Sequence, residues 1–156
     1  MRNNFLGVVL AFSAPAVLSF GCGSSGPPAS NSFTEVYTRT IQPTCSNDFC
    51  HYNSVGIRYS GLDMSSQVRA YWSLVGQPSI GPNCYKSGMG MRVIPGDPDN
   101  SILYQKLSAA TLACGSQMPA DTHQLLRGIP AFSGNAVPTD QVQLIHDWIE
   151  QGAQDN

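Results

Sequence analysis

Two cysteines and a histidine lie close together in the stretch PTCSNDFCHYN, residues 43–53. Cys45 and Cys50 are separated by four residues, and His51 follows Cys50 directly. Thiols and an imidazole at this spacing could form a small disulfide loop, bind a zinc ion or attach a cofactor covalently. A Cys45–Cys50 disulfide would leave His51 without a role. Zinc would need a fourth ligand with no obvious donor, and adjacent Cys and His side chains rarely reach one tetrahedral ion.

The covalent alternative is a haem. Two thiols can add across the vinyl groups of a haem, and a histidine directly after the second cysteine is then placed beneath the iron. The common spacing for this attachment is C-x-x-C-H, whereas here it is C-x4-C-H, so the extra residues would loop out between the sulfurs. Cys45 and Cys50 are therefore candidate thioether anchors, and His51 is the candidate proximal iron ligand. The disulfide and the zinc site remain alternatives.

The amino-terminal residues have the pattern of an export signal. Arg2 precedes the apolar run FLGVVLAFSAPAVLSF, which is the n-region and h-region plan of a secretory signal. The segment LSFGC that follows resembles a bacterial lipobox, in which the cysteine receives lipid. We therefore expect a signal peptide at residues 1–21, lipidation of Cys22 and a flexible tether at residues 22–31. An uncleaved anchor and a secreted protein with a spare thiol are the alternatives.

This signal predicts an exported protein in the periplasm or at the cell surface, lipid-anchored to a membrane. Disulfides persist in such compartments. Cys84 and Cys114 are the two cysteines left after the others are assigned, and we expect them to pair. The bridge would bring the segment that contains Met118 near the 77–91 loop.

Composition indicates a loop-rich domain over residues 32–156. Charged residues make up 12% of the chain, against about 25% in ordinary globular proteins. The chain has 15 glycines and 11 prolines, and its net charge of −2 gives no support for binding nucleic acid or anionic lipid. We find no strand pattern and no internal repeat. Long loops around a few helices are reasonable in a compact domain if a cofactor such as haem fills the centre.

Capping residues and apolar periodicity predict the first two helices. Ser32 and Glu35 form a capping box at the start of SFTEVYTRTIQ, and that helix should end before Pro43. A second helix follows Ser65 or Ser66 and ends at Gly76. Its expected buried face contains Val68, Tyr71, Trp72 and Val75.

Two more helices are predicted towards the carboxyl end. One lies in NSILYQKLSAA and buries Ile102, Leu103 and Leu107. The last lies in TDQVQLIHDWIEQGA, with Thr139 as its cap and Gly152 just beyond its end. Its apolar stripe contains Val142, Ile145, Trp148 and Ile149.

The order of the motifs resembles a family, the small cytochrome c-like domains of exported bacterial lipoproteins. The matching pieces are FTEVYTRTIQPTCSNDFCH, GLDMSS, VIPGDPDNSILYQKL, QMP and DQVQLIHDWIEQGA, which together span about residues 33–153. The resemblance implies an all-α, cytochrome c-like domain of four to five short helices with long loops. It also implies one covalent haem c, with Met118 of QMP as the distal iron ligand. His123 and the other methionines are the rival distal ligands.

A His/Met-ligated haem passes single electrons and leaves no open iron position. The resemblance therefore implies an electron-transfer protein that is not an enzyme and that exchanges electrons with redox partner proteins at the membrane. A non-haem, disulfide-stapled structural or binding lipoprotein is the main alternative. A catalytic haem site, with His123 as its acid–base group, is a third.

Overall fold

The computed structural model describes residues 31–46, 50–53, 57–58, 60–81, 84, 90–108, 112, 114–119 and 137–156. The expected signal peptide, Cys22 and His123 lie outside these residues. Within them the chain forms helices α1 (Phe33–Val36), α2 (Gln67–Leu74), α3 (Ile102–Ser108) and α4 (Thr139–Glu150). The described part has no strand, only two isolated bridges between residues 75–78 and 91–93. The all-α class predicted from the sequence is confirmed in this coarse sense.

Helix α1 continues past its expected end. Ser32 is the N-cap as predicted, because its Oγ accepts a hydrogen bond from the Glu35 N–H at 3.2 Å. The prediction that the helix stops before Pro43 is wrong, since a π-helical segment, Tyr37–Cys45, follows directly. The Ser46 N–H donates to the Ile41 carbonyl at 3.0 Å, the five-residue spacing of a π-turn. This wider turn accommodates Pro43, and it carries the helix to Cys45.

Helix α2 buries a different face from the one predicted. Ser66 is its N-cap, and Ala70 and Leu74 are its buried residues. Val68 and Trp72 are 61% and 66% exposed, so the prediction that they lie inward is wrong. Residues two apart on an α-helix point about 200° from each other, and burial of Ala70 and Leu74 therefore turns Val68 and Trp72 outward. Tyr71 and Val75 lie at the edge of the buried face and pack partly against the core.

Helices α3 and α4 follow the predicted pattern more closely. Ile102, Leu103 and Leu107 are buried on α3, as expected. Ile145, Trp148 and Ile149 are buried on α4, and Val142 packs against the core at its edge. Pro138, in place of the expected Thr139, occupies the N-cap of α4. Gly152 has φ +103°, a left-handed conformation that suits glycine just beyond a helix end.

An aromatic cluster joins the first and last helices. The ring of Phe33 lies 5.0 Å from the ring of Trp148 and 5.2 Å from that of Tyr71, measured between centroids. The final residue closes this end of the domain, because the Asn156 carbonyl accepts the Thr34 N–H at 3.1 Å and Asn156 Oδ1 accepts the Phe33 N–H at 3.1 Å. Two orphan N–H groups at the start of α1 are thereby paired.

A disulfide forms a second, smaller buried cluster with a residue of α3. Cys84 and Cys114 are bonded, and with Ile102 they form a small buried cluster separate from the main core. None of the helices in the described ranges is long and apolar enough to cross a bilayer.

Trp148→Ala should lower the free energy of unfolding by about 3–5 kcal/mol, because it removes a fully buried aromatic side chain and leaves a cavity. Trp72→Ala is the matched control on the exposed face of α2, where we expect a change within about 0.5 kcal/mol. Urea denaturation followed by far-UV circular dichroism, with the disulfide intact, measures both. Equal losses in the two variants would contradict the described faces of α2 and α4.

Candidate functional site

The π-helical segment delivers Cys45 to the edge of the main core. Cys45 is the last residue of that segment, and its side chain packs against the core while remaining partly exposed. The next described stretch begins at Cys50 and is hydrogen-bonded back to the helix end, because the His51 N–H donates to the Cys45 carbonyl at 3.2 Å. The His51 carbonyl accepts the N–H of the buried Met64 at 2.8 Å. Hydrogen bonds therefore hold both the N–H and the carbonyl of His51.

The two cysteines of this site are thiols. Cys45 and Cys50 are both free, whereas Cys84 and Cys114 are joined. Burial, with a smaller contribution from the neighbouring Cys50, raises the pKa of Cys45 to about 12. At neutral pH Cys45 is consequently a protonated thiol, which has little tendency to act as a nucleophile or to bind a metal as thiolate.

The imidazole of His51 is held through one of its two nitrogens. Its Nδ1 lies 3.0 Å from the hydroxyl oxygen of Ser60. Burial, together with the positive charges of Arg92 and Lys106, lowers the pKa of His51 to about 4, although a backbone hydrogen bond with Leu62 acts in the opposite direction. The ring is therefore neutral at pH 7, which is the form that binds metals. Ser60 engages Nδ1, so Nε2 is the nitrogen that would be offered to a ligand.

Two cations that influence His51 are bonded to carbonyl groups. The buried Arg92 donates to the Ser73 carbonyl at 2.6 Å and to the Ser60 carbonyl at 3.1 Å. Lys106 Nζ donates to the Ser116 carbonyl at 2.8 Å and to the Cys114 carbonyl at 3.3 Å. Burial lowers the pKa of both side chains. Among the described residues neither cation forms a salt bridge, so their charges are not neutralised locally.

Met118 lies on a segment fixed to α3. Its N–H donates to the Lys106 carbonyl at 2.9 Å, and its side chain packs, partly buried, against the same main core as Cys45. The peptide bond to Pro119 is cis. Among the rival ligands, Met64 is buried in the core. His146 Nδ1 lies 3.1 Å from Asp147 Oδ1, and its ring stacks edge-on at 5.2 Å against Tyr104.

The cysteines and His51 are not arranged as a zinc site. Within the described ranges, one set of three His, Cys, Asp or Glu ligand atoms lies within 4.8 Å of one another, and it consists of His146, Asp147 and Glu150 on α4. Cys45, Cys50 and His51 do not form such a set. The zinc interpretation of the sequence therefore has no geometric support in this part of the chain.

Sequence reasoning missed Ser60. Nothing in its local pattern distinguishes it from the other serines, and its contact with His51 exists only because the chain returns past the imidazole nine residues later. Arg92 was equally hard to recognise, since its partners are carbonyl groups, which carry no sequence signal. Comparison with family models, with curated proteins and with solved structures gives no match for this chain.

Cys45 should be strongly protected from alkylation in the chain without cofactor. At pH 8 we expect iodoacetamide to modify it about three orders of magnitude more slowly in the folded than in the urea-denatured protein, because the raised pKa leaves few thiolates. The protection should fall as the pH rises towards the pKa of about 12. A Cys50→Ala variant followed by mass spectrometry isolates the reaction of Cys45. Similar rates in the folded and denatured chains would contradict the buried placement of this thiol.

Proposed function

We propose that this protein is a one-electron carrier with one covalently bound haem c, anchored by lipid on Cys22 outside the cytoplasm. Cys45 and Cys50 would hold the haem through thioether bonds, His51 would be the proximal iron ligand and Met118 the distal one. The observation that carries the proposal is the state of the site. Cys45 and Cys50 remain thiols, beside an imidazole that is neutral and has Nε2 left for a ligand.

The residues fit the chemistry of attachment. Each thioether forms when an S–H adds across a vinyl C=C bond, so no oxidant is consumed and no group leaves. This addition needs two reduced thiols, which a Cys45–Cys50 disulfide would not provide. The protein then fixes the histidine side of the iron through the hydrogen bonds of the His51 backbone to Cys45 and Met64. The Met118 segment is fixed by its bond to Lys106.

When bound, the haem would supply a redox centre whose iron changes by one electron. The role of the protein would be to keep that centre six-coordinate and to limit rearrangement between oxidation states. The packing of Cys45 and Met118 against one core supports this role, because the same hydrophobic cluster then holds both side chains. A ligand set without an open position favours electron transfer over catalysis.

The proposed location follows from the amino-terminal sequence. The tether at residues 22–31 would keep the domain near a membrane and raise its effective concentration for redox partner proteins there.

Expression with a c-type haem attachment system should yield a coloured protein whose haem survives denaturing electrophoresis and acid–acetone extraction. Cys45→Ala and Cys50→Ala should each leave a single thioether, which shifts the pyridine haemochrome spectrum, and the double variant should lose covalent haem. The control is Cys84→Ser combined with Cys114→Ser, which removes two thiols elsewhere and should retain both thioethers. A colourless wild-type protein would support the non-haem lipoprotein instead.

Met118→Ala should convert the ferric haem from low spin to high spin and open it to added imidazole, because the distal sulfur is lost. Met91→Ala is the matched control and should leave the spectrum unchanged. Optical and electron paramagnetic resonance spectra measure both. A Met118→Ala protein with the wild-type spectrum would show that His123 or another side chain is the distal ligand.

A further inference from the structure

We propose that Ser60 and Arg92 act together as a clamp on His51, which fixes the imidazole with its proton on Nδ1 and its lone pair on Nε2. Both would be positioning residues, since neither is proposed to touch iron. The tautomer is a property of the chain itself, whereas its consequence at the iron rests on the proposed function.

The hydroxyl of Ser60 is the direct contact. Ser60 Oγ lies 3.0 Å from His51 Nδ1 and accepts the Leu62 N–H at 3.2 Å. A hydroxyl oxygen has two lone pairs and can accept an N–H from the imidazole beside the N–H of Leu62. The backbone of Leu62 also favours the protonated ring, as a hydrogen-bond acceptor does. In the proposed clamp, Ser60 Oγ accepts and Nδ1 carries the proton.

Arg92 fixes the position of Ser60. Its guanidinium spans from the Ser73 carbonyl on α2 to the Ser60 carbonyl, at 2.6 and 3.1 Å. The Arg92 guanidinium can reach the Ser60 carbonyl only by passing close to the backbone of the next residue. Gly61 has φ +61°, and a Cβ placed there would lie 3.2 Å from a terminal nitrogen of Arg92 and in collision with the Ile80 side chain.

The planar guanidinium of Arg92 donates to the two carbonyl groups through two different nitrogens, whereas a lysine ammonium has only one nitrogen. The clamp therefore joins three separate parts of the fold: α2, the 60–62 segment and the Cys50–His51 stretch. Metal-binding histidines in general depend on a partner for the second nitrogen, which sets the tautomer and strengthens the ligand. In this chain that partner is a side-chain hydroxyl, and its position depends on a buried cation.

Nitrogen-15 NMR of the full chain prepared without haem tests the tautomer directly. Wild-type His51 should show one protonated-type resonance for Nδ1 and one unprotonated-type resonance for Nε2. In Ser60→Ala the two resonances should move towards each other as the tautomers mix, and Ser60→Thr should restore the wild-type values. The control is Ser79→Ala, a partly buried serine whose side chain makes no hydrogen bond to the described residues. Wild-type resonances in Ser60→Ala, or a proton on Nε2 in the wild type, would overturn the proposal.

Arg92→Lys separates position from charge. It keeps the positive charge but loses the guanidinium that bridges the two carbonyl groups, so we expect the tautomers of His51 to mix as they do in Ser60→Ala. If Arg92→Lys retains the wild-type resonances, charge alone is sufficient and the clamp is wrong for Arg92. Circular dichroism establishes that the variant is folded, and if it is not, the Ser60 variants still decide the tautomer.

The haem-loaded protein gives the second readout. Ser60→Ala should raise the reduction potential, because loss of the hydrogen bond to Nδ1 makes the imidazole a weaker donor to ferric iron, while Ser79→Ala should leave it unchanged. An unaltered potential in Ser60→Ala would overturn the consequence at iron. Failure to attach haem would count against the proposed function and would leave the NMR result to stand by itself.

Discussion

The packing of Phe33 between Trp148 and Tyr71 is the contact on which the described fold depends. It joins the start of the first helix to the last helix and to α2, and the hydrogen bonds to Asn156 close the same end. Because the π-helical segment grows directly from α1, this aromatic cluster also determines where Cys45 lies. The Cys45 end of the candidate site is thus positioned from the far end of one continuous helix.

The site itself combines two electrostatic conditions. One thiol and one imidazole are both held in their neutral forms, the thiol by burial and the imidazole by burial and two nearby cations. Neutral groups can be kept at the edge of an apolar core at little cost, since the energetic penalty of burial falls mainly on charges. A cluster of thiolates would require a bound metal or close cations, and the described residues around Cys45 are not arranged to provide them.

Local signals in the sequence predicted local structure well. The cap at Ser32 and the buried faces of α3 and α4 follow from hydrogen bonding and periodicity within each helix, and the structure agrees. The face of α2 was predicted wrongly because hydrophobicity alone ranked Val68 and Trp72 above Ala70. In the folded chain, packing against the other helices buries the smaller side chain of Ala70. The extension through Pro43 has the same cause, since tertiary contacts overrode a local stop signal. Ser60 and Arg92 were beyond prediction because their roles depend on backbone groups distant in sequence.

The carbonyl-bonded cations near His51 have an effect that extends beyond the histidine. Arg92 and Lys106 are desolvated, and no salt bridge in the described part of the chain neutralises them, so their field reaches the space beside the imidazole with little screening. Any group placed there is stabilised when it carries less positive charge. The same two side chains that help burial to keep the imidazole deprotonated would therefore bias a neighbouring electron carrier towards holding its electron.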